Sequence, residues 1–251
     1  MSELDDLKKR VSDLEDENLR LKTEKDAYHT NLESLVRERA NQLQSTMQSL
    51  ERSYDMTLEV MGKALELKEA PTVGHARRVT LVSIAIGKAM GLRRDQVAII
   101  ARGAFLHDVG KMATPDAILH KPAVLSPEEI AIMREHPLRG YLMLQMIPFL
   151  KEAAEIVYAH HERFDGTGYP RGMKCMEIPV GARIVAIANT LDSITSDLPH
   201  RPARSIGMAR EEIRCCTRTQ FDPEIVDVFL KVPVKTWENL HNEAEAAQTH
   251  S

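Results

Sequence analysis

The first sixty residues have the apolar spacing of a coiled-coil helix. Residues 1–60 contain neither Gly nor Pro, and their apolar residues return at alternating steps of three and four. With Leu4 at heptad position a, the d positions are filled by Leu7, Leu14, Leu21, Tyr28 and Leu35. This seam favours a coiled coil over a single solvated helix, because a lone helix this polar has little to stabilise it.

The polar positions of this heptad indicate which kind of coiled coil forms. Asn18 falls at an a position, where a polar side chain favours two parallel strands in register. Arg10 and Glu17 fall at g and face Glu15 and Lys22 at e of a parallel partner, so both pairs have opposite charges. We therefore predict a parallel homodimer over residues 1–60. The repeat weakens beyond Leu35, but a long helix is expected to run into the next part of the chain and transmit motion to it.

From about residue 61 the pattern changes to shorter helical segments separated by Gly and Pro. Alternating runs of β-branched residues are scarce, so we predict an all-α domain over residues 61–235, followed by a polar tail over 236–251 that frays from about 238. The exception is residues 162–178, a Gly-rich segment of a length that is more often functional than accidental. The predicted helices span 76–90, 94–106, 115–119, 127–134, 137–146, 149–160, 179–194, 207–214 and 223–230.

Composition excludes several functional classes. The formal net charge of −4 argues against a broadly basic DNA-binding protein. No apolar run reaches the roughly 18 residues of a membrane span, so no membrane partner is expected. Three cysteines without CxxC spacing indicate neither a disulfide framework nor a zinc knuckle, which favours a reducing, cytoplasmic location.

Histidines near the ends of predicted helices are the candidate chemical groups. Any one of them is more often an ordinary surface or hydrogen-bonded core residue than a ligand. However, His107 and Asp108 together close an apolar helix, and His160 and His161 form a doublet that closes another. Imidazoles with a bridging carboxylate are ligands for Fe, Mn or another first-row metal, and the lack of thiolates argues against structural zinc. From the residues alone, a metal site and a set of ordinary histidines remain equally open.

Residues about 61–232 resemble an HD-GYP domain, a subclass of the HD hydrolase superfamily. The resemblance rests on six ordered motifs, which are GHARRV, FLHDVGK, EHPLRG, HHERFDGTGYPRG, TSD and TQFDP. It implies an all-α HD-type bundle and a metal-dependent phosphodiesterase that hydrolyses cyclic di-GMP to a linear dinucleotide or GMP. The implied partners are the cyclic dinucleotide, a second copy of the chain and, on the coiled coil, a signalling protein.

The resemblance also implies a role for individual residues. Asp108 would bridge two first-row metal ions, Fe or Mn. Lys111 would act beside Asp108 in catalysis and contact substrate, as would Tyr169 in the Gly-Tyr-Pro loop and Arg201 as a phosphate contact. The implied metal ligands besides Asp108 are His75 and His107 for the first ion, with Asn189 at the position of a third ligand, and His136, His160 and His161 for the second ion.

The chain departs from the family pattern IADxxDALTSDRPYR, since it reads IANTLDSITSDLPHR. Asn189 replaces an Asp that ligates the first metal, which should weaken that site because an amide lacks a negative charge. Leu198 replaces an Arg and His200 a Tyr in the stretch associated with gripping the dinucleotide, and Leu198 cannot make a guanidinium's bidentate bonds. Pro71 stands where family members with three metals have Glu, so no third ion is expected.

Three functions remain open at this point. The first is an active cyclic di-GMP phosphodiesterase. The second is a degenerate domain that binds a nucleotide or a protein without turnover, which Asn189 and Leu198 motivate. The third is a hydrolase of another phosphorylated substrate.

Overall fold

The computed structural model describes residues 3–69, 74–197 and 201–248, and over these ranges the protein is helical without strands. The predicted all-α class is therefore confirmed. No described helix combines the length and the apolar character that crossing a bilayer requires. The helices are α1 Glu3–Glu69, α2 His75–Ala89, α3 Arg94–Phe105, α4 Asp116–Leu119, α5 Pro127–Met133, α6 His136–Leu144, α7 Lys151–Ala159, α8 Val180–Thr195, α9 Ile206–Cys215, α10 Pro223–Lys231 and α11 Val234–Gln248.

The chain divides into two compact units, residues 1–57 and 58–251. The first unit consists of the greater part of α1, the long helix that the heptad predicted. The second unit has α8 at its centre. Ile184, Val185, Ile187 and Ala188 are all fully buried there, as expected of a helix that is apolar on every side.

The last turns of α1 belong to the second unit. Leu58 and Leu65 are buried, and Leu58 packs in a core cluster with residues of α7. Glu66 accepts a hydrogen bond from the Gly74 N–H at 2.9 Å, and the Lys68 ammonium donates to the Met112 carbonyl at 2.9 Å. The end of α1 is thereby tied to the start of α2 and to the segment that follows α3.

The C-terminal segment differs from the prediction. In place of a polar tail that frays from about 238, the structure has α11, which packs against α2 and α9 within the second unit. Trp237 and Ala244 are buried and Leu240 packs on the same core, so the buried face follows helical steps of three and four. The tail prediction was wrong because the polar composition of the segment concealed this narrow apolar stripe.

Candidate metal centre

The centre is built around a turn that follows α3. His107 and Asp108 lie in this turn with 0% and 6% of their surfaces exposed, and a short 3₁₀ helix over Val109–Ala113 comes next. Gly110 lets that helix lie directly against the start of α6, since a Cβ at this position would fall 1.9 Å from the His136 carbonyl oxygen. The close approach brings His136 to Asp108, with His136 Nε2 3.3 Å from Asp108 Oδ1.

Three of the histidines are oriented by backbone carbonyls at the C-terminal ends of helices. The Nδ1 atom of each lies 2.7–2.8 Å from the backbone carbonyl three residues earlier: His107 on Ala104, His136 on Met133 and His160 on Val157. A carbonyl only accepts, so Nδ1 must carry the proton and donate. The lone pair then lies on Nε2, which is the atom that faces Asp108 in all three residues.

His75 is oriented differently, by a charged side chain from α8. Its Nδ1 lies 2.6 Å from Asp192 Oδ2, and the Arg78 guanidinium donates to the other oxygen, Asp192 Oδ1, at 2.5 Å. His75 and Arg78 are three residues apart on α2 and therefore face α8 together. The roles of Asp192 and Arg78 were not predicted. A signal was present, because Arg78 lies in the GHARRV motif and Asp192 stands at the second Asp of the pattern IADxxDALTSDRPYR.

The imidazoles and Asp108 form two groups that share this carboxylate. We call His75, His107 and Asp108 the first cluster, and Asp108, His136, His160 and His161 the second cluster; the ligand atoms of each lie within 4.8 Å of one another. Asp108 Oδ2 faces the first cluster, 3.2 Å from His107 Nε2, while Oδ1 faces the second. The predicted ligands are thus brought together, apart from Asn189, which is described below.

The short distances between Nε2 atoms of neighbouring imidazoles favour a cation between them. His75 and His107 approach through their Nε2 atoms at 3.3 Å, as do His136 and His160. Two unprotonated nitrogens at this distance repel one another unless a proton or a metal ion lies between them. Neutral imidazoles around a buried carboxylate are a suitable donor set for divalent metals, so the residues fit the metal site that the sequence analysis left open.

The electrostatics keep the second cluster in the form that binds metal. Burial, followed by the neighbouring His136, lowers the pKa of His161 to about 3. Burial, followed by the neighbouring His161, also holds the pKa of His160 well below its usual value. Burial alone would raise the pKa of Asp108, but His107 and Lys111 outweigh it and hold that pKa well below the usual range. Near neutral pH both histidines are therefore uncharged and Asp108 is an anion, as metal ligation requires.

A cavity of about 510 Å³ opens beside the second cluster and contains the remaining predicted residues. Tyr169 and Asn189 both line it with His160 and His161, and so does Arg201, whose guanidinium donates to the Ser193 carbonyl at 2.5 Å. Lys111 lies at Asp108 instead, with its Nζ 2.7 Å from Oδ2. The predictions for Pro71, Leu198 and His200 fall outside the described residues.

The Gly-rich segment after His161 forms a wall of this cavity and is held by Glu162. The buried carboxylate of Glu162 accepts hydrogen bonds from the backbone N–H groups of Arg171 and Met173. The Tyr169 ring stacks on the His161 ring with centroids 4.7 Å apart, and burial raises the pKa of Tyr169 to about 12, which keeps the phenol neutral. The sequence contained no specific signal for the role of Glu162.

Comparison with known proteins agrees with this arrangement. A family model described as HD domain matches residues 59–225. A cyclic di-GMP phosphodiesterase of Thermotoga maritima is 37% identical over 196 residues, which cover 77% of this chain and 53% of the relative. The cyclic di-GMP phosphodiesterase response regulator RpfG of Xanthomonas campestris pv. campestris is 35% identical over 202 residues, covering 78% and 53%. The chain thus spans about half the length of these curated relatives.

A solved structure shares the fold at low sequence identity. A phosphodiesterase of Vibrio cholerae, described as specific for cyclic GMP-AMP, superposes with a TM-score of 0.55 at 19% identity, covering 74% of this chain and 52% of that one. At this identity the likeness concerns the fold alone. The matched family model and the relatives at 37% and 35% identity establish the family. The chain belongs to the HD domain family, among the HD-GYP members that its motifs resemble.

Proposed function

We propose that the chain is a metal-dependent phosphodiesterase that opens cyclic di-GMP to a linear dinucleotide or to GMP. The observation that carries this proposal is the shared carboxylate. Asp108 presents one oxygen to each of two clusters of imidazoles, next to a cavity of about 510 Å³. That volume is within the range of small-ligand pockets.

The proposed metal ligands follow the two clusters. His75, His107 and Asp108 would hold one ion, with Asn189 as an additional ligand, and the second cluster would hold the other. Two such ions supply Lewis acidity toward a phosphoryl oxygen and lower the pKa of water. Fe and Mn are the metals we propose, because imidazole and carboxylate suit both.

The other residues would bind and orient the substrate. Lys111 keeps a positive charge beside Asp108 Oδ2, where it would face a phosphodiester oxygen, and phosphoryl transfer depends largely on such positioning and charge. Tyr169 would close one side of the cavity. Arg201 would contact phosphate, with its orientation set by its bond to the Ser193 carbonyl.

The test is turnover combined with metal analysis. Protein loaded with Mn or Fe should contain two ions per chain and hydrolyse cyclic di-GMP faster than cyclic GMP-AMP. The second substrate is the relevant competitor, because one relative is a 3'3'-cGAMP-specific phosphodiesterase of Vibrio cholerae, 34% identical over 173 residues. Metal-loaded protein that hydrolyses only other phosphoesters would contradict the proposal.

The second candidate function is a domain that binds the dinucleotide or a protein without hydrolysing it. Asn189 favours it, because an uncharged amide stands where the family pattern has an anionic metal ligand. Calorimetry that finds tight dinucleotide binding, together with fewer than two ions per chain and no turnover, would support this alternative.

We also propose that α1 forms a parallel coiled coil with a second copy of the chain. The seam residues Leu7, Leu14 and Leu21 are each more than half exposed in the single chain, which supports burial against a partner helix. Sedimentation equilibrium should give a dimer, and Asn18→Leu should stabilise association while loosening its specificity. A monomeric unmutated chain would contradict this proposal.

A further inference from the structure

Three arginines line the cavity, and two of them are already engaged. Arg163 donates to Thr167 at 3.0 Å and pairs with Asp165 at 3.5 Å. Arg201 donates to the Ser193 carbonyl. The third is Arg134, the residue that ends α5. Within residues 3–69, 74–197 and 201–248 its side chain makes no hydrogen bond or ion pair, so its N–H groups are available to a ligand.

The Arg134 guanidinium is nevertheless held in place. It lies over the Tyr169 ring, 5.0 Å from the centroid, and the same ring stacks on His161. A guanidinium over an aromatic face is stabilised by the ring quadrupole and keeps its in-plane N–H groups exposed at the edge. Arg134 is thus a cation that lines the cavity. It is held by Tyr169, and Tyr169 in turn contacts His161 of the second cluster.

We infer that Arg134 binds the second phosphate of a cyclic dinucleotide, the one that is not being hydrolysed. This inference rests on the proposed function, since only a substrate with two phosphodiester groups needs a second anion site. The reacting phosphate would lie at Asp108, where Lys111 supplies charge. Lys111 is the cation that contacts Asp108, whereas Arg134 contacts Tyr169 in the cavity wall, so Arg134 is assigned to the other phosphate.

The experiment compares Arg134→Ala with the unmutated protein on two probes that share their bases. Cyclic di-GMP has two guanines and two phosphodiesters, whereas the linear dinucleotide GpG has the same guanines and one phosphodiester. Losing a charge-assisted contact should lower kcat/KM for cyclic di-GMP about 10- to 100-fold, with the change mainly in KM, and leave GpG nearly unchanged. Where there is no turnover, the Kd values take the place of kcat/KM.

Two further variants make the comparison specific. Arg134→Lys keeps the charge but not the bidentate geometry and should lose only part of the affinity. Arg94→Ala removes the same charge from an exposed position of α3 outside the cavity lining. It should leave kcat/KM or Kd unchanged for both probes. Equal metal content and circular dichroism spectra establish that each variant is folded.

The outcomes separate this inference from the proposed function. An equal loss on both probes would overturn it and assign Arg134 to a guanine or to the support of Tyr169. Unchanged constants for cyclic di-GMP would also overturn it, while the phosphodiesterase proposal would stand. If the metal-loaded unmutated protein neither binds nor hydrolyses cyclic di-GMP, the proposed function fails, and this inference fails with it.

Discussion

The two clusters of the candidate metal centre are held in place by different groups. In the second cluster, His136 donates to the carbonyl of Met133 at the end of α5, His160 donates to that of Val157 in α7, and His161 follows directly in the chain. In the first cluster, His75 donates to Asp192, a side chain 117 residues away that is itself paired with Arg78. The second cluster therefore depends on nearby helix ends. The first cluster combines one such contact, from His107 to the Ala104 carbonyl, with a charged contact between α2 and α8 that holds His75.

This difference indicates which half of the centre substitutions can tune. A backbone carbonyl cannot be changed by mutation, but a carboxylate can, and groups behind a ligating histidine affect metal affinity. The first cluster also has two imidazoles where the second has three, and the family pattern would add an anionic ligand that Asn189 does not supply. We expect the first cluster to bind metal more weakly and to respond more strongly to substitution.

The largest effect is expected from Asp108→Ala, which should abolish the distinction between the clusters. One carboxylate serves both, so metal content should fall from two ions to none, and turnover should fall by about three orders of magnitude. Elemental analysis of purified protein measures the first effect, and Asp95→Ala, at an exposed position on α3, is the control. Two ions retained in Asp108→Ala would show that this carboxylate does not bridge.

Asp192→Asn should separate the clusters. It keeps an acceptor for His75 but removes the negative charge, so affinity for the first ion should fall about 10- to 100-fold while the second ion is unaffected. Titration with a competing chelator resolves the two steps. The matched control is Asp222→Asn, because Asp222 is also a buried carboxylate paired with an arginine, Arg183, but contacts no imidazole of the centre.

If the Asp222 variant weakened the first ion as much as the Asp192 variant, general destabilisation would explain the result. A loss confined to the Asp192 variant would instead establish that this carboxylate acts through His75.

Asn189→Asp should reduce the difference in metal affinity between the two clusters. An added carboxylate should raise occupancy of the first ion and increase turnover about tenfold, as measured by metal content and initial rates. Thr190→Asp places the same charge on the next residue, which also lines the cavity, and should not raise occupancy. Unchanged metal content in Asn189→Asp would contradict its assignment as a first-metal position.

The last prediction concerns the stability of the metal-free protein in acid. The pKa of His161 is about 3 and that of His160 lies well below 6.5 in the folded chain, mainly through burial, while unfolded histidines titrate near 6.5. Below pH 6.5 the unfolded chain binds protons that the folded chain does not. The free energy of unfolding of chelator-treated protein should therefore decrease as the pH is lowered below 6.5, by up to about 1.4 kcal/mol per pH unit for each histidine.

Urea unfolding at pH 7 and pH 5 measures this slope, and His161→Gln should reduce it. An identical slope in the variant would mean that another group titrates in this range.

Much of the second unit could be predicted from periodicity. The predicted segments 94–106 and 223–230 differ from α3 and α10 by one residue at one end, because apolar periodicity marks both helices and Asp222 caps α10. The 3₁₀ helix after His107 was not predicted, since its conformation follows from the packing of Gly110 on α6. Tertiary contact of this kind leaves no local pattern in the sequence.

The candidate metal ligands could be predicted from the motifs, whereas the residues that orient them or bind beside them could not. Five histidines and Asp108 follow from the motif resemblance, and the structure brings them together. Asp192 and Arg134 were missed for different reasons. Asp192 stands at an Asp of the family pattern, but its bond to His75 forms only because α2 lies beside α8. Arg134 lies outside the quoted motifs, and its position over the Tyr169 ring is visible only in the folded chain.

The bonds made by Glu66 and Lys68 have a practical consequence for fragments of this protein. A polypeptide that starts at His75, the first residue of α2, would omit both bonds, together with the buried side chains of Leu58 and Leu65. The segments flanking His75 and Lys111 would then each lose an anchor. Recombinant versions intended for calorimetry or crystallisation should consequently begin at or before Leu58.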